Sequence, residues 1–273
     1  MPAATSVVRT AVKSAAAAID TLRRPDTGVV VLIYHRVGGG SGLELDLPVD
    51  VFEAQAATLA ASGRVVTLGD ALRQLAEPAH DTCDPLVAIT FDDGTSDFVD
   101  RAVPILERYR LPATLYAATS FIDEQRPFLG AQPVSWRGLA DACATGLVEV
   151  GSHTHGHKLL DRLPRREIAD ELDRSIELIG EHLGRAPLDF AYPKALMGSP
   201  EADLAVRQRF RSAAVGGNRA NRFGATDPHR LARSAIQASD GMRWFQRKLD
   251  GGMATEETLR RALNRWRYAG DST

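Results

Sequence analysis

The sequence predicts an α/β fold in which a mostly parallel sheet curls into a partial or distorted barrel. Three observations lead there. From Val29 onward, short β-branched or apolar runs alternate with longer segments of helical period, the pattern of strands joined by crossover helices. The runs are apolar along most of their length rather than strictly alternating, as in strands buried on both faces. No long linker interrupts them, and a barrel of about 250 residues forms a single domain.

The first strand is Val29-Val30-Val31-Leu32-Ile33-Tyr34, which ends in polar His35 and Arg36 and then three glycines. A helix over Val51 to Ala61 carries Phe52, Ala56, Leu59 and Ala60 and stops at Gly63. A short helix follows near Asp70 to Ala76. Leu86 to Phe91 is a second core strand that enters Asp92-Asp93-Gly94, and Asp97 to Tyr109 has helical spacing. Pro112 to Ala118 is a third strand, Trp136 to Ala144 a helix closed by Gly146, and Leu147 to Gly151 a fourth strand running into Ser152-His153-Thr154-His155-Gly156-His157.

Between Pro164 and Gly184, Ile168, Leu172, Ile176, Ile179 and Leu183 recur at three- and four-residue intervals, which marks an amphipathic helix. Leu188 to Tyr192, Ser212 to Val215 and Leu231 to Ile236 are shorter strands, for about seven in all. Residues 1–27 read as a helical extension ahead of a domain over 28–273, and a charged helix over Glu256 to Arg267 closes the chain. In such a barrel the loops after the strands meet at one end, so polar groups distant in sequence can converge there.

Composition narrows the function. The 33 Lys and Arg against 35 Asp and Glu leave a net charge of −2, which argues against a nucleic-acid binder held by phosphate neutralisation. The arginines near 162–166 and 260–267 are matched by acids and form solvated faces. Cys83 and Cys143 have no CxxC partner, so two reduced thiols are expected. Charge interrupts the alanine-rich start, and no apolar run of about 18 residues exists. A cytoplasmic protein without a membrane span is the resulting expectation; the oligomeric state is left open.

Asp92 and Asp93 leave a core strand side by side, and adjacent carboxylates repel unless something positive compensates. The histidines beyond the fourth strand suit a cation: His153 and His157 stand four residues apart with Gly156 between them. Two imidazoles and one carboxylate make a three-ligand site with open positions, the donor set of catalytic zinc. Water on such an ion is acidified from about 15.7 to about 7, and a carboxylate that does not bind the metal can take its proton. The paired aspartates thus divide into a ligand and a base.

These residues resemble a known family, the polysaccharide deacetylases of carbohydrate esterase family four, which share the chitooligosaccharide deacetylase homology domain. The matching stretches are Thr90-Phe91-Asp92-Asp93-Gly94 and His153-Thr154-His155-Gly156-His157, supported by Tyr34-His35-Arg36-Val37 and Phe190-Ala191-Tyr192-Pro193, within about Val29 to Leu249. The resemblance implies a distorted (β/α)7 barrel and metal-dependent removal of N-acetyl groups from an amino-sugar glycan or glycoconjugate. It makes Asp92 the general base and Asp93, His153 and His157 the ligands of a divalent cation, usually Zn²⁺. It places Tyr192, Pro193 and Lys194 at the substrate, with the Lys194 N–H on the oxyanion.

Two departures stand out. Many members carry an arginine that orients the base where this chain has Ala191, and the late Leu-x-His element that supplies the general acid is absent, its place taken by Leu231-Ala232-Arg233. A branch acting on exopolysaccharide has its acid histidine early, after the first strand, which makes His35 the acid here. Arg233 is the candidate replacement for the orienting arginine. His155 is expected to face away from the metal, His80, His182 and His229 to lie at the surface, and Phe121, Trp136, Trp244 and Phe245 to be core rather than sugar platforms. Three rivals stay open: an O-acetyl esterase using the same residues, a sugar-binding relative that has lost catalysis, and a non-haem iron oxygenase, for which no cosubstrate anchor is evident.

Overall fold

In the computed structural model, which describes residues 27–78 and 84–253, the apolar runs form one sheet that closes on itself. Its strands in chain order are β1 (Gly28–Tyr34), β4 (Leu86–Asp93), β5 (Ala113–Ala117), β6 (Val148–Ser152), β7 (Asp189–Ala191), β8 (Ser212–Gly216) and β10 (Leu231–Ala235). All seven are parallel in the order β1-β4-β5-β6-β7-β8-β10, and β10 returns to pair with β1. This is a distorted (β/α)7 barrel. Two-residue strands β2 (Arg36–Val37) and β3 (Asp46–Leu47) pair apart from it, and β9 (Asn221–Arg222) runs antiparallel to the start of β1.

The distortion is local. β6 and β7 share only the Ser152↔Phe190 pairing, and β10 meets β1 over three residues, Val31↔Arg233 to Ile33↔Ala235. Asn221 staples that last seam: its side-chain amide donates to Val29 O (3.1 Å) and Ala232 O (2.8 Å), while its Oδ1 accepts the Ala232 N–H (2.8 Å).

Helices cover the sheet. They are α1 (Val49–Ser62), α2 (Leu68–Ala76), α3 (Val103–Tyr109), α4 (Thr119–Asp123), α5 (Trp136–Ala144), α6 (Arg165–Leu183), α7 (Pro200–Arg207) and α8 (Gly241–Leu249). α1 and α6 end at Gly63 and Gly184 in the left-handed conformation, at φ 64° and 72°, where a glycine has no Cβ to clash. Thr67, Ser135 and Ser199 cap α2, α5 and α7 by accepting the main-chain N–H three residues on.

Strand alternation divides the core. Val30, Leu32 and Tyr34 face outward into a cluster with Phe52, Phe91 and Phe98, whose rings meet at 4.9–5.8 Å. Val29 and Val31 join Ala88, Ala191, Ala214 and Leu231, and α2 adds Leu68, Ala71 and Leu75 to that cluster.

Where structure and expectation differ, the cause is local chemistry. The helix expected over 97–109 begins with a wide turn, Phe98–Ala102, before α3. Pro104 has no N–H to give the carbonyl four residues back, and its ring would clash with it. α4, α7 and α8 were not expected, because they are short and flanked by turn residues. The leading helix, the closing helix over 256–267, Cys83 and His80 lie outside the described residues. No helix among the described residues is long and apolar enough to cross a membrane.

Candidate active site

Register sets the site before any side chain is considered. Asp92 and Asp93 end β4 opposite Tyr116 and Ala117, and Ala117 lies opposite Ser152, so the exits of β4 and β6 share one rim. The Ser152 hydroxyl meets that of Ser175 on α6 at 2.6 Å, and the His153 N–H donates to Ala117 O at 2.9 Å. Buried Glu171 of α6 holds the following loop, its Oε2 accepting the Gly156 N–H at 2.6 Å and its carbonyl the His155 N–H at 3.0 Å.

The backbone is bent where the chemistry lies. Asp93, Thr154, His157, Lys194 and Ala195 all have φ between 54° and 76°, a left-handed conformation that costs a non-glycine residue roughly 1–3 kcal/mol and collects at functional sites. Gly151 before the histidine loop has another reason. A Cβ there would lie 2.7 Å from Tyr116 Cδ1 and 2.8 Å from Asp189 O, so only glycine lets the Tyr116 ring pass.

One ligand atom each from Asp93, His153 and His157 lie within 4.8 Å of one another. His157 Nε2 is 3.4 Å from Asp93 Oδ1, and His153 Nε2 is 3.8 Å from the same oxygen. His153 Nδ1 is 2.7 Å from Ala191 O. A carbonyl only accepts, so Nδ1 carries the proton and the Nε2 lone pair faces Asp93, the orientation a metal-binding imidazole needs. A buried carboxylate and two histidines are a donor set that fits one divalent cation of zinc type.

Asp92 has a different environment. Arg233 of β10 grips it with both terminal nitrogens, Nη1 to Oδ1 at 2.6 Å and Nη2 to Oδ2 at 2.8 Å. Nη1 also donates to Thr90 Oγ1 (3.2 Å), whose hydroxyl donates to Leu32 O (2.6 Å). The guanidinium lies 5.0 Å over the Tyr116 ring. Arg233 and Asp92 are 1% and 3% exposed, so water scarcely screens the pair.

The two adjacent acids therefore diverge. Burial raises the pKa of Asp92, but Arg233 and then His153 outweigh it and bring the group down to about 2. Burial, and then the charge of Asp92, push Asp93 up to about 8. Burial lowers both histidines, His157 to about 3 with His153 adding to the effect. Both imidazoles are thus neutral at neutral pH, the state in which a histidine can bind a metal.

A cavity of about 430 Å³ opens over these groups. Asp92, Asp93, His153, His157, Arg233, His35 and Lys194 all line it. Tyr192 and Pro193 do not. Both are buried, and alternation along β7 turns Tyr192 outward with Phe190 into a cluster with Leu160, Leu172 and Phe210 while Ala191 faces in. His155 points to Thr119, Nδ1 to Oγ1 at 3.0 Å, and is not part of the Asp93, His153 and His157 cluster. Phe121, Trp244 and Phe245 are buried, and half-buried Trp136 stacks on exposed His182 at 4.5 Å.

Several lining residues were not legible in the sequence: Leu45, Phe128, Leu129, Leu196 and Gln237. Phe128 stacks on Phe121 at 4.5 Å and meets the edge of His157 at 5.2 Å. The one available signal was Phe-Leu-Gly between two periodic segments, which marks a turn but not its neighbours.

Comparison with known proteins agrees with this architecture. A sequence model of the family described as polysaccharide deacetylase matches residues 79–210, which include both aspartates, both histidines and Lys194 but not His35 or Arg233. The poly-beta-1,6-N-acetyl-D-glucosamine N-deacetylase of Staphylococcus aureus (strain MSSA476) is 30% identical over 119 residues, 41% of this chain and 41% of that protein. The match thus spans less than half the length of that relative. IcaB from Ammonifex degensii is 29% identical with a TM-score of 0.70, over 81% of this chain and 98% of that one. Streptococcus pyogenes deacetylase PplD, solved with acetate, has the same fold at 18% identity and a TM-score of 0.70, over 82% and 99% of the two chains. With the barrel, the paired strand exits and these relatives in agreement, residues 79–210 belong to the polysaccharide deacetylase family.

Proposed function

We propose that the chain hydrolyses N-acetyl groups of an amino-sugar glycan or glycoconjugate, releasing acetate and leaving a free amine. The observation that carries this reading is the division between adjacent carboxylates, Asp92 clamped by Arg233 and Asp93 set between two imidazoles. Asp93, His153 and His157 would hold one divalent cation, Zn²⁺ by the chemistry of the donors. When bound, such an ion supplies Lewis acidity, polarising a carbonyl and acidifying water.

The remaining roles fall to the chain. Asp92 takes the proton from the attacking water, and Arg233 acts as a positioning residue that fixes its oxygens and keeps it ionised between reactions. Lys194 donates its N–H to the developing oxyanion. His35 gives a proton to the departing amine. Ala191 favoured a relative without catalysis, but Arg233 reaches the same carboxylate from β10 and removes that argument.

Acetate release from N-acetylated oligosaccharides tests the reading. Release that is abolished by chelation and restored by added Zn²⁺ supports it; release unaffected by exhaustive chelation, or none from any N-acetylated glycan, overturns it. A second expectation concerns protons. Burial and the charge of Asp92 hold the metal-free Asp93 protonated up to about pH 8, whereas the histidines are already neutral, so Zn²⁺ uptake at about pH 7 releases the Asp93 proton in addition to the fraction lost by water on the ion. Calorimetry in buffers of different ionisation enthalpy measures this, and uptake of Zn²⁺ with no proton release at neutral pH would contradict the assigned states.

A further inference from the structure

The cavity carries leucines as well as titratable groups. Leu45, Leu129 and Leu196 line it, and Leu129 and Leu196 remain 51% and 36% exposed. Leu129 is the unusual one. Phe128 and Ala131 exchange both main-chain hydrogen bonds at 2.9 Å, and the two residues between them, Leu129 and Gly130, have φ of 49° and 75°. That is a type I′ hairpin turn, whose first central position favours Asn, Asp or Gly.

A leucine there satisfies neither backbone preference nor burial. The turn is also held in place, because Arg36 donates from Nη1 to Leu129 O at 3.3 Å while its guanidinium lies 3.8 Å from both Asp46 and Asp97. An apolar side chain is thus fixed at the edge of the catalytic cavity at a local conformational cost. No aromatic ring is among the exposed large hydrophobic residues of the described chain. Phe128 also lines the cavity but is half-buried with its ring stacked on Phe121, so the exposed rim offers alkyl surface, from which an apolar substituent gains more by burial than a hydrated sugar hydroxyl does.

We propose that Leu129, with Leu45 and Leu196, forms a specificity-determining lip that receives an apolar group attached to the acetamido sugar, so that the preferred substrate is a glycoside with a hydrophobic aglycone. The inference rests on the deacetylase reading above and adds the substrate class. Hexyl and methyl N-acetyl-β-glucosaminides share the reacting amide and differ only in the aglycone.

In acetate-release assays the chain is expected to favour the hexyl over the methyl glycoside by about tenfold in kcat/KM, mainly through KM. Leu129→Asn, a residue the turn accepts, is expected to erase most of that ratio without lowering the melting temperature. Equal rates on the two glycosides, or an unchanged ratio in Leu129→Asn, would overturn the lip while leaving deacetylation standing. Failure to release acetate from either glycoside or from N-acetylated oligosaccharides would remove both readings.

Discussion

Asp92→Asn is expected to lower acetate release by roughly 10²–10⁴-fold while leaving zinc stoichiometry unchanged, because an amide cannot accept the proton of the attacking water. Asn keeps the shape and one acceptor oxygen but unpairs the buried Arg233 charge, which costs about 3 kcal/mol. The variant therefore melts earlier yet stays folded if the chain has ordinary stability. Zinc content and circular dichroism, measured beside turnover, separate loss of the base from loss of the fold. Turnover within tenfold of wild type would assign the proton to another group.

Arg233→Met carries the second large effect, and it falls on stability as well as rate. Removing the guanidinium leaves the Asp92 carboxylate buried without its two charge-assisted bonds, a loss of about 3–5 kcal/mol. Asp92 sits below its ordinary value of 3.8, at about 2. The stabilisation it contributes is therefore present above 3.8 and lost as pH falls through 2. Without Arg233, only His153 and His35 oppose burial, so Asp92 rises and the variant loses less stability on acidification than the wild type does. The gap in melting temperature between the two should narrow below about pH 4. Asp92→Asn combined with Arg233→Met should recover most of the lost stability but no activity. A gap that widens in acid would mean the pair is not what holds this strand seam.

Legibility followed the range of the interactions. The exits of β4 and β6 could be read because apolar runs stop abruptly at Asp92-Asp93-Gly94 and at Ser152 to His157, and a parallel sheet brings such exits to one edge. The lone-pair direction of His153 could not, since it depends on the Ala191 carbonyl from a strand 38 residues away. Arg233 was visible only as a candidate, because its partnership with Asp92 requires the β10–β1 closure. Tyr192 was expected at the substrate by resemblance; the two-residue period of β7 sends it outward with Phe190 instead. The leucine lip was hidden for a different reason: an isolated Leu before Gly reads the same whether it fills a core or rims a cavity.

The seam between the last strand and the first has a consequence for how the protein comes into being. Asp92 and Arg233 are 141 residues apart, and contacts of such separation form late because a long loop must close before they repay its entropy. A growing chain passes through a stage in which the histidine loop exists and the acid beside it has no counter-charge. The ability to turn over substrate and the completion of the barrel should then appear with one rate constant on refolding, so that acetate release can serve as the clock for ring closure.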